Sequence, residues 1–257
     1  MTYTRKNQWD LFKILVHSEL LQRYQGSILG FVWVFLKPLL LFLVLLFVFQ
    51  IFAKSTEIIN YPLYLLLGIL TFNLFSEGTV FGMNALLNKG HIIKKVSFDR
   101  KLALLSGVAH AIINFFFSIM IFAVFSLYYG NTVSPGELLF YFYHVILLIV
   151  LIIGIVGFLS IITVWFRDIS NIWEVVLLVL FYLTPVFYPL SIVPAQWQSI
   201  FFLNPLTLLM TNMRNIIINH DPVSILPTWP LVIFLFVFIS CSYFFFRYYV
   251  KSIAEFI

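Results

Sequence analysis

The sequence of 257 residues is poor in charge and in cysteine. Asp, Glu, Lys and Arg make up 10% of the residues, against about a quarter in a typical soluble protein. Hydrophobic residues reach 62% and the mean hydropathy is +1.05, which is more apolar side chain than one water-soluble core of this size can bury. The single cysteine, Cys241, excludes a disulfide within the chain. The composition therefore predicts a polytopic membrane protein and excludes disorder and a disulfide scaffold.

The sequence also lacks the motifs of the common enzymes. No Gly-Lys dipeptide occurs, so there is no phosphate-binding P-loop. There is no His-Glu-x-x-His pair or cysteine cluster for a metal, and no Gly-x-Ser-x-Gly elbow. We therefore expect no catalysis, metal or cofactor in this chain. A membrane-embedded enzyme and an ion channel are the competing classes, but neither clustered acids nor a filter sequence supports them.

Runs of apolar residues predict an all-α fold of six transmembrane helices in one domain, residues 1–257. A span needs about 20 apolar residues. A helix at residues 5–25 is expected to lie in the membrane interface, with Trp9, Phe12, Val16 and Leu20 on its apolar face and Glu19 paired with Arg23. We predict a coupling loop at 84–101 and a re-entrant outer region at 189–218. The predicted spans are 31–53, 61–82, 102–129, 138–165, 172–188 and 229–249.

The basic residues predict the orientation. Twelve of the 15 Lys and Arg residues lie on one side of the predicted membrane. They lie before the first span, between the second and third spans, between the fourth and fifth spans, or at the end of the last span and after it. The positive-inside rule therefore places both termini in the cytoplasm. Within the spans, His110 and His144 are expected to be neutral and hydrogen-bonded between helices, and Glu77 and Glu174 to reach the basic loops. Gly78 and Gly82 allow close helix approach, within one copy or between two.

Four short patterns occur in a fixed order along the chain. The first, at the join between the interface helix and the first span, is Arg23-Tyr24-Gln25-Gly26-Ser27-Ile28-Leu29-Gly30-Phe31-Val32-Trp33, followed by Lys37-Pro38. The second is Ile92-Ile93-Lys94-Lys95-Val96-Ser97-Phe98, followed by Asp99. The third is Phe166-Arg167-Asp168-Ile169, and the fourth runs from Thr184-Pro185-Val186-Phe187-Tyr188 through Asn204-Pro205 to Arg214. Over the whole chain this order resembles the permease subunits of type-2 ATP-binding-cassette (ABC) exporters for polysaccharides, many of which have proline where Asp99 stands.

The resemblance implies partners as well as a fold. It implies a bacterial inner-membrane protein in which two copies of the chain form a pore and two separate ATPase subunits hold ATP and Mg. The substrate implied is a lipid-diphosphate-linked polysaccharide, not nucleic acid. O-antigen is the closest match, with teichoic acid or capsular polysaccharide as the alternative. The residues implied in ATPase coupling are Lys89, Ile92, Ile93, Lys94, Lys95, Arg167 and Asp168; the alternative role for the lysines is to fix topology and touch anionic lipid.

Two further sets of residues follow from the resemblance and from side-chain chemistry. Arg23, with Leu29 and Gly30, is predicted to receive the diphosphate headgroup, because a guanidinium suits phosphate. Sugar faces stack on aromatic rings, so Trp33, Phe35 and Tyr188 are predicted to line the pore. The alternatives are a topology-setting charge for Arg23 and an interfacial aromatic belt for the three rings.

Overall fold

The computed structural model describes residues 5–24, 28–52, 58, 60–95, 98–221, 226–250 and 252, and all regular structure in these ranges is helical. The all-α fold expected from the sequence is therefore confirmed. Two 3₁₀ turns, Gly30–Val32 and Leu190–Ile192, accompany the α-helices. The α-helices are α1 Arg5–Tyr24, α2 Trp33–Phe52, α3 Tyr61–Asn88, α4 Gly90–Lys95, α5 Lys101–Tyr128, α6 Pro135–Trp165, α7 Ile169–Leu183, α8 Ala195–Phe201, α9 Pro205–Ile217 and α10 Trp229–Tyr249.

Five of the described helices are long and apolar enough to cross a membrane: α2, α3, α5, α6 and α10. The remaining predicted span corresponds to α7, which is apolar but has 15 residues, about 22 Å of helix against a hydrocarbon core of about 30 Å. Helix α7 ends at Leu183 because Thr184, which precedes Pro185, takes an extended conformation. The predicted span 172–188 was therefore too long at its end.

Two other predicted boundaries move because helices are longer than the apolar runs. Helix α3 continues to Asn88 and α4 follows at once, so the predicted loop 84–101 is mostly helical. Helix α6 begins three residues before the predicted start. There the Ser134 hydroxyl accepts from the Glu137 amide at 3.3 Å, and the Glu137 carboxylate accepts from the Ser134 amide at 2.6 Å, which is a capping box.

Helix α3 lies at the centre of the bundle. It packs along α5 and α6, while α2 lies where α3 meets α5 and α7 lies where α3 meets α6. Gly78 and Gly82 permit the close approach: an added Cβ would lie 2.9 Å from Ile152 at the first and 2.5 Å from Val156 at the second. These glycines therefore serve packing within one copy of the chain.

Helix α1 packs on α5 at the end of the bundle that also holds α4, the start of α5 and the end of α10, which we call the basic end. The side chain that α1 buries is Leu15, 1% exposed, whereas Trp9 is 59% exposed. The face of α1 that meets the bundle therefore runs through Leu15 and Glu19, and the expectation that the apolar face with Trp9 lies in the membrane interface stays a prediction. Glu19 pairs with Lys89. Its predicted pair with Arg23 stays a prediction, because the Arg23 side chain lies outside the described part of the chain.

The opposite end of the bundle, called here the hairpin end, is closed by the segment after α7. The predicted region 189–218 contains a 3₁₀ turn and helices α8 and α9. Asn204 caps α9 by accepting from the Leu206 amide at 3.0 Å, and its amide group donates to the Thr184 hydroxyl at 2.9 Å. Helix α9 packs against α6 and α3, so this region is a folded part of the core. Whether it is re-entrant stays a prediction.

Candidate functional site

A polar cavity of about 310 Å³ lies between α2, α3 and α5 of the apolar bundle and opens at α2 to the outside of the bundle. Its walls combine apolar side chains with one aromatic ring, an amine, a carboxylate and several amides and hydroxyls. Polar groups at this depth need protein or water around them. The polar and aromatic lining residues are Trp33, Lys37, Asn73, Ser76, Glu77, Asn114 and Ser118.

Glu77 is the central acid of this cavity. The side-chain amide of Asn114 on α5 donates to the Glu77 carboxylate at 2.8 Å. Glu77 lies eleven residues before Asn88, where α3 ends, which is roughly 16 Å along the helix axis. The expectation that Glu77 reaches the basic loops is therefore wrong; the carboxylate faces the cavity.

Helix α2 supplies the opposite wall through Trp33 and Lys37, which are four residues apart and so share a helix face. Trp33 is 38% exposed, and Lys37 is exposed as well. Trp33, which was predicted to line the pore, therefore lies on the wall of this cavity. Phe35 does not line it: its ring packs edge-on against Phe31 and Phe117, at centroid distances of 5.9 and 6.3 Å.

The third predicted pore aromatic, Tyr188, lies at the hairpin end. Its hydroxyl donates to the Tyr182 carbonyl at 2.8 Å, and its carbonyl accepts from the Tyr64 hydroxyl at 3.0 Å. Tyr188 follows α7 instead of belonging to it. The structure therefore does not bring Trp33, Phe35 and Tyr188 together.

The predicted headgroup residues lie just before α2. Leu29 is exposed, and Gly30 has a φ of 44°, a left-handed conformation that favours glycine. The 3₁₀ turn that begins at Gly30 leads directly into Trp33. Leu29 and Gly30 therefore precede the cavity wall, while the Arg23 side chain lies outside the described residues.

The predicted coupling residues surround α4 at the basic end. Ile92 and Ile93 on α4 are partly exposed, and the side chains of Lys94 and Lys95 lie outside the described part of the chain. Lys89 differs from them because it is 4% exposed and points into the bundle. Its amine is therefore not on a surface that a partner would touch.

Arg167 and Asp168 precede α7 and are both exposed. Asp168 occupies the N-cap position of α7 but its side chain makes no capping hydrogen bond. The two side chains do not form one of the ion pairs found among the described residues. The expectation that they pair or cap α7 is wrong, which leaves both available at the surface.

Buried polar contacts fix the rest of the bundle. The His144 Nδ1 donates to the Phe140 carbonyl at 2.8 Å, and the Nε2 contacts the Asn212 amide of α9 at 3.2 Å, so the predicted hydrogen bonding of His144 between helices is confirmed. The His110 ring packs edge-on against Phe81 at 4.9 Å.

Sequence reasoning missed the amide and hydroxyl residues of the cavity, although they leave a signal. Asn73 and Glu77 on α3, and Asn114 and Ser118 on α5, are polar pairs spaced by four residues within apolar helices. This spacing places each pair on one face, in the same way as Trp33 and Lys37. Three such faces on three spans are a pattern that indicates a shared polar cavity.

A bundle whose described part has five helices long and apolar enough to cross a membrane, packed around a polar cavity, has the architecture of an integral membrane protein. The chain belongs to the ABC-2 type transporter family, whose model matches residues 10–218. It is therefore a permease component of an ABC transporter.

Individual relatives are also similar to the chain. It is 33% identical over 210 residues to an O-antigen export system permease protein RfbA of Myxococcus xanthus, covering 80% of this chain and 79% of that protein. It is 26% identical over 241 residues to a protein of the same name from Klebsiella pneumoniae, with 88% of each covered. Family and relatives together confirm the resemblance seen in the sequence.

Proposed function

We propose that the chain is the membrane subunit of an ATP-driven exporter that moves a lipid-diphosphate-linked polysaccharide of the O-antigen type outward. Two copies form the pathway and two separate ATPase subunits supply the energy. The observation that carries the proposal is the polar cavity between α2, α3 and α5. The similarity to O-antigen export permeases of two bacteria supports this substrate class.

The cavity has the chemistry that a sugar chain needs. The Trp33 ring offers a face for sugar C–H groups, and the groups around Glu77 and Asn114 exchange hydrogen bonds with hydroxyls. Each contact is weak because water also competes for it. A polymer therefore passes along such a surface without being trapped there.

A second copy of the chain explains two exposed charges. Lys37 on α2 and Glu174 on α7 are both exposed, and neither takes part in the ion pairs found among the described residues. A charged side chain on an apolar helix faces protein or water rather than lipid. We infer that α2 and α7 border a pathway shared by two copies.

The ATPase would act at the basic end. Helix α4, with Ile92 and Ile93, together with Arg167 and Asp168, presents a mixed apolar and charged surface there. We place this end in the cytoplasm of a bacterium, with the chain in the inner membrane, because most lysine and arginine residues lie at this end. The diphosphate headgroup then enters near Leu29 and Gly30, next to Trp33.

A pull-down from mild-detergent membranes tests the proposed assembly. Two differently tagged forms of the chain are expressed together, one tag is captured, and the recovered proteins and lipids are identified. We expect the second tag, a soluble subunit with a P-loop, and a glycolipid. Capture of neither the second tag nor an ATPase, under conditions that preserve another ABC exporter, would contradict the proposal.

A further inference from the structure

Lys89 joins three elements at the basic end through a single buried amine. It is the residue between α3 and α4 and is 4% exposed. Its Nζ donates to the Ser106 hydroxyl at 2.7 Å and to the Ala103 carbonyl at 3.3 Å, both on α5. The same Nζ forms an ion pair with the Glu19 carboxylate of α1. The amine thus ties α1 to the start of α4.

Glu19 and Leu15 are the points at which α1 is attached to the bundle. Leu15 is 1% exposed, and Glu19 follows one helical turn later on the same face. The other α1 ion pair, between Asp10 and Lys13, has side chains 58% and 60% exposed and lies within the helix itself. The Glu19–Lys89 pair is therefore the charged contact that fixes α1 to the rest of the described chain.

The pair lies beside a cavity and has one carboxylate oxygen that the described residues leave unsatisfied. A cavity of about 260 Å³ lies beside it, lined by Ser18, Glu19, Lys89 and His91 among others. The second carboxylate oxygen of Glu19, Oε2, is buried and has no hydrogen-bond partner among the described residues. A pair of this kind adds little stability compared with apolar side chains of the same volume, which favours a role other than stabilising the fold.

We propose that the Glu19–Lys89 ion pair stays closed during transport and carries the movement of α4 to α1. The inference rests on the proposed function, in that an ATPase pushes on α4. Because Lys89 directly precedes α4, a displacement of α4 moves the amine, and the amine moves α1 through Glu19. Helix α1 leads into the segment before α2 and the polar cavity. Glu19 and Lys89 are positioning residues in this scheme: they connect the ATPase contact to the entrance.

Charge-altering variants test the link. Export and ATPase activity are measured for the full complex with Lys89→Met, Glu19→Gln and the charge swap Glu19→Lys/Lys89→Glu. We expect each single variant to lower export roughly tenfold, a typical coupling effect, while the ATPase stays bound and active. The swap should regain most of the export. Lys13→Met, which removes an exposed lysine of the same helix, is the matched control and should export normally.

A cross-link decides whether the pair moves as a unit or opens. Glu19→Cys and Lys89→Cys are combined in a Cys241→Ser background and joined by a short bis-methanethiosulfonate reagent, which a reductant reverses. We expect the cross-linked double variant to export more than the same variant before cross-linking. Loss of export on cross-linking, restored by reductant, would show that the pair must open and would overturn the inference.

The controls separate this inference from the proposed function. Normal export by Lys89→Met and Glu19→Gln would overturn the link but leave the exporter assignment intact. Absence of ATP-dependent export in the unaltered complex would instead remove the proposed function. A variant that fails to fold is recognised by loss of ATPase binding, and Glu19→Gln, which keeps the shape of the side chain, then provides the test.

Discussion

The guanidinium of Arg214 lies 3.5 Å from the ring centroid of Tyr64 and donates to the Tyr64 carbonyl at 3.0 Å. It also donates to the carbonyls of Pro185 and Val186 at 2.5 and 2.6 Å. A 3% exposed arginine thus satisfies the carbonyls that follow the end of α7 and joins α9 to α3. This contact holds the start of the segment after α7 against α3 and α9 at the hairpin end.

Gly68 makes room for this arginine. An added Cβ there would overlap the guanidinium of Arg214 and lie 2.5 Å from the Val186 carbonyl oxygen. We expect Gly68→Ala to lower the free energy of unfolding by about 2 kcal/mol or more, since buried hydrogen bonds to a charged group are lost. Gly136→Ala is the matched control, because nothing lies within 4 Å of its added Cβ. Thermal unfolding in detergent measures both; equal behaviour of the two variants would contradict this role.

The buried pair gives a pH-dependent prediction. Burial raises the pKa of the Glu19 carboxyl and lowers the pKa of the Lys89 amine. In Lys89→Met the carboxyl also loses its opposite charge, so its pKa rises further, and removal of one partner costs about 3 kcal/mol of stability. Between the unfolded and the raised folded pKa the folded state holds more protons. The variant therefore becomes more stable as the pH falls through that range.

The double variant Glu19→Gln/Lys89→Met provides the comparison. It buries no charge at this site, so we expect it to be more stable than Lys89→Met near neutral pH and to lack the gain at lower pH. Chemical denaturation from about pH 8 to about pH 5 measures the difference over the relevant window. If the free energy of unfolding changed with pH in the same way in Lys89→Met and in the double variant, Glu19 would not be a buried carboxylate that has lost its only opposite charge, and the prediction would be contradicted.

Glu77 tests the cavity as the sugar pathway. Glu77→Gln keeps a hydrogen-bonding group beside Asn114, so we expect export close to normal. Glu77→Leu removes the hydrogen bond from the Asn114 amide to this side chain, and we expect export to fall roughly tenfold, as for loss of one or two buried hydrogen bonds. The rate of glycan appearance outside the membrane measures both. Equal export by the two variants would exclude a polar role for this wall.

The bundle was predictable because hydropathy follows helices closely. Five long apolar helices lie where the apolar runs are, and the errors fall at helix ends, where single residues decide. Pro185 shortens α7, and the capping box of Ser134 and Glu137 lengthens α6. Both signals are local and are present in the sequence.

The site was less predictable because its contacts join distant residues. Glu19 and Lys89 are 70 residues apart in the sequence, and Glu77 and Asn114 are 37 residues apart. No periodicity in one helix identifies the partner on another. Lys89 was grouped with the surface lysines because charge in a connection normally faces water, and only the packing of α1 on α5 shows that it is buried.

Orientation is tested by labelling single cysteines in a Cys241→Ser background. Thr132 and Asp99 are both exposed and lie at opposite ends of α5, and neither residue belongs to the capping box at Ser134. We expect Thr132→Cys to react with a membrane-impermeant maleimide in intact cells whose outer envelope has been opened, and Asp99→Cys to react only after lysis. The reverse pattern would place the basic end outside and contradict the topology.

ATP-dependent movement of glycan across a sealed membrane tests the central claim most directly. The chain and its ATPase subunit are reconstituted into proteoliposomes with a lipid-diphosphate-linked O-polysaccharide, and the polymer that becomes accessible on the far side is measured. We predict transfer that requires ATP, the ATPase and this chain together. Transfer without ATP, or ATP hydrolysis with no transfer of any lipid-linked glycan, would contradict the account.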